Sequence, residues 1–155
     1  MKTPNPNPSV CSCVNLRRAS RAITRIYDKA LEPVDLKITQ YSVLANVARS
    51  GPLSSSNLAR ILRLDRTTLV RNLKSLQAAG FIEDHPEAGD PRERAIRITE
   101  AGHLMVDKAR PLWGLAQRQI EDHLGSAALN QLTTLVTSLE TLSDHLVLNH
   151  LEESP

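Results

Sequence analysis

Residues Leu53 to Gly80 read LSSSNLARILRLDRTTLVRNLKSLQAAG, and this stretch decides the fold. Ser54 is suited to cap a helix whose inner face carries Leu58, Ala59, Ile61 and Leu62, because a serine oxygen accepts from the orphan N–H groups of a first turn. That helix is expected to end near Arg63, with Leu64 filling the turn. Asp65 then caps a second helix by accepting from the N–H of Thr67 or Thr68, and its charge complements the helix dipole. Leu69, Leu73 and Leu76 form one buried stripe, and Gly80 supplies the left-handed residue that stops the helix near Ala79. Arg66, Thr67, Thr68, Val70, Arg71 and Lys74 are left facing outward. Between Asn57 and Ser75 the bases Arg60, Arg63, Arg66, Arg71 and Lys74 stand against the single acid Asp65. Such a face suits phosphate. Arginine near a helix start can take guanine O6 and N7 together, and threonine can donate to bases or phosphates, which is the chemistry of a helix in a major groove. The alternative is a basic face that is merely solvated.

A hairpin follows. Residues 81–86 and 94–99 are expected to form short strands, the second turning Ile96 and Ile98 inward and Arg97 outward, while residues 87–93 carry turn chemistry throughout. A tip holding Arg92 beside a reading helix is a wing. Arginine is the residue suited to a narrow, negative minor groove, and Asp90 is placed to hold its guanidinium. Arg94, Lys74 and the serines Ser54, Ser55 and Ser56 are the candidates for phosphate contacts; the alternative for the tip is an ordinary polar turn.

The run from Leu64 to Arg71, then Leu76-x-x-x-Gly80-Phe-Ile, Asp90-x-Arg92 and Ile98-Thr-Glu-Ala-Gly102, resembles the winged helix-turn-helix of MarR-type bacterial transcription regulators over residues 14–148. The fold class implied is mainly α with a small β-wing: a winged helix-turn-helix with N- and C-terminal dimerisation helices. The resemblance also implies a homodimer on a pseudo-palindromic double-stranded operator, more often repressor than activator, and a small-molecule effector or oxidant that loosens binding. A pocket between reader and dimer helices, receiving aromatic or phenolic anions, is implied too, with Arg21, Tyr27, Tyr41 and Trp113 as candidates by position.

At 155 residues the chain is the size of one domain, and it lacks an apolar run long enough to span a membrane. The expected plan is a flexible tail over 1–12 containing Pro4, Pro6 and Pro8, an N-terminal dimerisation helix over 13–38, and a DNA-binding region over 39–99. C-terminal dimerisation helices over 100–150 and a tail over 151–155 complete it. The tail lacks the apolar core of a signal peptide, so a cytoplasmic protein is expected. Net charge is only +2, but residues 1–75 hold 13 Lys and Arg against 4 Asp and Glu, and residues 111–155 hold 1 against 6. Basic chemistry is concentrated around the proposed reader. Aromatic residues make up 3% of the chain, which disfavours stacking on single-stranded bases and favours duplex.

Outside the reader, a long helix starting at Cys13 or Asn15 carries Leu16, Ala19, Ile23, Ile26 and Leu31 and stops at Pro33. Its other face holds Arg17, Arg18, Arg21 and Arg25, read as a solvated face partly paired to carboxylates or as further phosphate contacts. A helix from Thr39 to Ser50 presents Tyr41, Val43, Leu44 and Val47 and ends at Gly51-Pro52. After the wing, a helix opening at Thr99 and Glu100 is expected to reach about Leu124 with a kink at Pro111. From Ser126 to Leu148, Leu132, Leu135, Val136, Leu139, Leu142 and Leu146 recur at three- and four-residue steps, the seam of a coiled coil. Pairing with a second chain is the economical account of that seam; a closed intramolecular bundle is the other.

Cys11 and Cys13 lie at the start of the first long helix near Arg17 and Arg18. A helix N-terminus and guanidinium groups both favour thiolate, so these residues are candidates for sensing an oxidant or a thiophilic metal or metalloid ion, against a bystander role. Tetrahedral zinc spacing is missing, and His85, His103, His123, His145 and His150 are scattered. No cofactor is required by this reading. An enzyme is disfavoured: nucleophile elbow, P-loop, dinucleotide glycine motif and metalloprotease helix are all absent from the sequence. A thiol reductase would lack the strand before its cysteines. A winged-helix module for protein contacts would not need Arg66, Thr67, Thr68, Arg71 and Arg92 together.

Overall fold

The computed structural model describes residues 10–86 and 94–152 and arranges them as α1 (Ser12–Leu31), a 3-10 turn (Glu32–Val34), α2 (Ile38–Ser50), β1 (Leu53–Ser54), α3 (Ser55–Leu62), α4 (Arg66–Ala78), β2 (Ile82–Pro86), β3 (Arg94–Ile98), α5 (Glu100–Leu124) and α6 (Ser126–Glu152). Two compact units result, one up to Ala116 and one from Gln117 onward, with the boundary inside α5.

In the first unit the breaks fall where backbone chemistry puts them. Proline at position 33 has no N–H and cannot continue α1, so the chain tightens into the 3-10 turn and leaves it through Asp35 in the left-handed region at φ 52°. Asp28 of α1 then starts α2 by accepting from the N–H of Ile38 at 2.8 Å, and the Gln40 side chain accepts from the N–H of Lys37 at 2.8 Å. Gly51, at φ 77°, ends α2 and donates to Val47 O at 3.1 Å.

Leu31, Val43, Leu44, Val47, Leu58, Leu69 and Leu76 are fully enclosed and pack with Ile82 and Ile96 of the sheet and Val106 and Ala109 of α5. Each such leucine contributes about 1.5–3 kcal/mol by leaving water. Helices α2, α3 and α4 therefore share one core, which fixes α3 and α4 relative to α2.

The sheet has the order β1-β3-β2, all antiparallel, with Ile82 opposite Ile98, Asp84 opposite Ile96, and Leu53 also opposite Ile96. The hairpin strands are one residue shorter at each outer end than the sequence indicates. The two-residue β1 is too short to show any periodicity, yet it makes β3 the central strand and encloses Ala95 as well as Ile96.

Other departures are small and physical. The first helix begins at Ser12, so Cys11 is its N-cap and Cys13 lies in its first turn. Ile61, expected on the inner face of α3, is 39% exposed. Helix α5, by contrast, reaches Leu124 as the sequence indicates and carries Pro111 in its interior, because losing one N–H bond is small beside the rest of a 25-residue helix. In the second unit α6 runs to Glu152, past the expected Leu148, after Gly125 at φ 79° separates it from α5. Leu135, Val136, Leu139 and Leu142 of its apolar seam are open to solvent, Leu135 to 62% and Leu142 to 54%.

Candidate nucleic-acid interface

The ends of α3 and α4 are held by specific devices. The Ser54 hydroxyl accepts from the N–H of Asn57 at 3.2 Å and caps α3. The chain leaves α3 through Arg63, a left-handed residue at φ 50° whose successor Leu64 donates back to Ala59 O at 3.1 Å. A non-glycine residue in that conformation costs about 1–2 kcal/mol, recovered from the packing of Leu64 and Leu69. Asp65 caps α4 twice over, accepting from the amide of Thr68 at 2.8 Å and from its hydroxyl at 2.6 Å. The Thr68 hydroxyl, helped by its amide, holds the Asp65 carboxyl below its ordinary value, so the cap is an anion at the positive end of the helix. At the other end Gly80, at φ 75°, donates to Gln77 O at 2.9 Å and Phe81 to Leu76 O at 3.0 Å, the paired bonds of a Schellman stop.

Between these caps Arg66, Thr67, Val70, Arg71 and Lys74 are exposed, while Leu69, Leu73 and Leu76 face the core. Thr68 differs from its neighbours: it is half-buried and its hydroxyl proton is spent on Asp65. Arg60, Arg66, Arg71 and Lys74 form no ion pair with a carboxylate among the described residues, so their charge is available to an outside anion. Ser55 and Ser56 are exposed in the first turn of α3, whereas the Ser54 oxygen is occupied by its own helix.

Asn72, also on the inward side of α4, is buried; the apolar stripe around it gave no sign of its role. Its amide nitrogen donates to Thr68 O at 2.9 Å and its oxygen accepts from the Thr39 hydroxyl at 3.2 Å, while Gln40 donates to the Ser75 hydroxyl at 2.9 Å. Two polar bonds thus clamp α4 onto the start of α2. Gln77 adds a third tie, donating to Asp84 of β2 at 2.8 Å.

The root of the wing is knotted by Thr99. Its hydroxyl donates to Gly80 O at 2.7 Å and accepts from the N–H of Gly102 at 3.0 Å, and its own amide donates to Phe81 O at 3.0 Å. A Cβ on Gly102 would lie 2.1 Å from Phe81 O and 2.6 Å from the Ile98 side chain, so only glycine fits there. On the solvent side of the strands Arg97 pairs with Glu83, Nε to Oε1 at 3.0 Å. Arg94 is placed by its backbone, paired with Pro86. Asp90 and Arg92 lie outside the described residues.

Cys11 and Cys13 are both exposed and not disulfide-linked. Among the described residues no three His, Cys, Asp or Glu side chains come together as a metal site would need. Arg17, Arg18, Arg21 and Arg25 line the exposed side of α1 and pair with no carboxylate among the described residues, against the partial pairing expected of them. Trp113 lies between two tyrosines, 6.3 Å from the Tyr27 ring at 15° and 6.2 Å from the Tyr41 ring at 28°. Burial raises the pKa of the Tyr41 hydroxyl, with Arg110 opposing. These three rings, named with Arg21 as candidates for one pocket, form one stack.

A tight helix-turn-helix with a cation-bearing outer face and a three-stranded wing defines a winged-helix nucleic-acid-binding protein. Residues 34–93 match the model of the MarR family. The structure of the Mycobacterium tuberculosis transcriptional regulator MosR is 32% identical, covering 86% of this chain and 98% of that one with a TM-score of 0.75, and the same regulator in complex with DNA matches at 32%, 85%, 98% and 0.75. A mutant of Escherichia coli MarR complexed with operator DNA shares the fold at 20% identity, covering 82% of this chain and 91% of that one with a TM-score of 0.74. The chain belongs to the MarR family of transcriptional regulators, which are DNA-binding proteins and not enzymes. Among the described residues no helix is long and apolar enough to cross a membrane.

Proposed function

We propose that the chain works as a homodimeric repressor on a pseudo-palindromic operator. One α4 enters the major groove of each half-site, and half-sites lie about 34 Å apart. The observation that carries this reading is the outer face of α4: exposed Arg66, Thr67, Arg71 and Lys74, anchored by an anionic cap and lacking internal ion pairs among the described residues. In this reading Arg66, Thr67 and Arg71 meet base edges and Thr68 holds the start of the helix. Lys74, Arg94, Ser55 and Ser56 meet phosphates, while Arg92, oriented by Asp90, enters the minor groove. Support for a second copy comes from the exposed seam of α6, and the DNA complex of MosR supports duplex as the partner.

The test separates the two kinds of contact on a duplex selected from a random pool. Arg71→Ala is expected to cost about 1–3 kcal/mol and relax preference at one base pair, whereas Lys74→Ala weakens every sequence alike and flattens the salt slope by about one unit. Equal effects would refute this division of roles.

Release belongs to the same proposal. Cys11 and Cys13, exposed at the start of α1, are its thiol candidates, and an aromatic or phenolic anion is the small-molecule one. A Cys11→Ser, Cys13→Ser variant is expected to keep its DNA affinity and lose the response to peroxide, arsenite or Cu⁺. A variant still released by all three would make the cysteines bystanders. The single Trp113 gives a fluorescence reading for phenolic acids.

A further inference from the structure

Of the exposed side chains between Arg66 and Lys74, four are polar and one, Val70, is apolar and 39% open to solvent. A solvated helix face gains from straight-chain polar residues; a β-branched one lowers helix propensity and shields nothing there. Val70 has Arg66 one turn before it and Lys74 one turn after, and it forms one wall of a shallow cleft of about 290 Å³ that also includes Leu73, Lys74, Gln77 and Asp84. Ser55 of α3 and Ile96 of β3 line the same cleft, and 39% of the Val70 surface stays open to solvent. One helical turn advances about 5.4 Å, which spans between one and two base steps of ~3.4 Å. Cations seated on either side of Val70 therefore bring it down onto base edges. In helices valine keeps essentially one rotamer, so its methyl groups are already fixed and lose little freedom on docking. The major-groove edge carries one apolar group, the C5-methyl of thymine.

We infer that Val70 determines specificity by packing its methyl groups against the C5-methyl of a thymine in each half-site. This rests on the reading of α4 as the major-groove helix and adds to it a base for a residue with no polar group.

The experiment uses the full chain and a duplex selected from a random pool, with deoxyuridine replacing each thymidine in turn at fixed salt. At one symmetry-related position per half-site, loss of the methyl is expected to weaken the wild type about fourfold, the effect of one buried methyl-sized group. Val70→Ala binds the thymidine and deoxyuridine duplexes equally there, and Val70→Thr, which keeps the branched shape and one methyl, gives an intermediate ratio. Lys74→Ala keeps the full ratio while binding both more weakly. Circular dichroism of Val70→Ala, on an exposed position, is expected to match the wild type. The inference is overturned if Val70→Ala retains the wild-type ratio, or if the wild type binds the selected duplex but responds to deoxyuridine at no position; α4 would then remain the groove helix. Failure to bind any duplex would remove both readings.

Discussion

Asp65 accepts two hydrogen bonds from one residue, Thr68, and this gives the start of α4 a definite pH response. Its carboxyl is held below the ordinary 3.8 in the folded protein, so the contribution is complete above that value and disappears as the pH falls through the folded-state value. Urea unfolding is expected to show Asp65→Ala less stable than the wild type at neutral pH, with the gap closing on acidification below 3.8. A gap independent of pH would mean that the aspartate acts by shape alone. The capping roles of Ser54 and Asp65 were legible because a short polar side chain before an apolar stripe has few other uses. Arg63 was not: an arginine gives no sign of left-handed backbone, which here is imposed by Leu64 and Leu69 entering the core. Nor was the hydroxyl bond from Thr68 to Asp65, because the spacing of the two residues indicates only the amide bond of a cap.

Among the elements, α4 is fixed by three polar ties as well as by its leucine stripe. Asn72→Ala removes the acceptor for the Thr39 hydroxyl and is expected to destabilise the protein by about 1–3 kcal/mol in denaturant titration. It should also lower operator affinity further than the unfolded fraction explains, because the tilt of α4 on α2 is then unset; affinity falling only with stability would deny Asn72 that positioning role. Gly102→Ala pushes a methyl into Phe81 O and is expected to cost at least about 1–3 kcal/mol, read as a lower thermal midpoint. The long helices and the wing strands followed from periodicity and punctuation: Pro33, Gly51 and Gly80 each mark a boundary found in the fold. The strand β1 escaped notice because two residues have no period, and the Asn72 and Thr99 ties did because each joins elements distant in sequence, which local pattern does not encode.

At the scale of the whole molecule, the seam of α6 is the feature a single chain leaves unexplained. Leu135, Leu139 and Leu142 are exposed, and burying such a row against a second copy would gain about 25 cal/mol for each Å² of apolar surface removed from water. Replacing all three with serine is expected to yield a monomer by light scattering, with circular dichroism retained and operator binding reduced to that of an isolated half-site. A variant still paired would place the self-contact elsewhere. The positively charged first half of the chain and its negatively charged last third were visible from counting alone, whereas the family was legible only through the resemblance carried by the motifs from Leu64 to Gly102. Thr99 joins three elements: with one hydroxyl and one amide it stitches the stop of α4, the end of β3 and the first turn of α5. In hydrogen exchange the amides of Phe81, Thr99 and Gly102 should consequently open in concert with a common free energy. Whatever loosens the grip of α4 must then slacken the base of the hairpin in the same event.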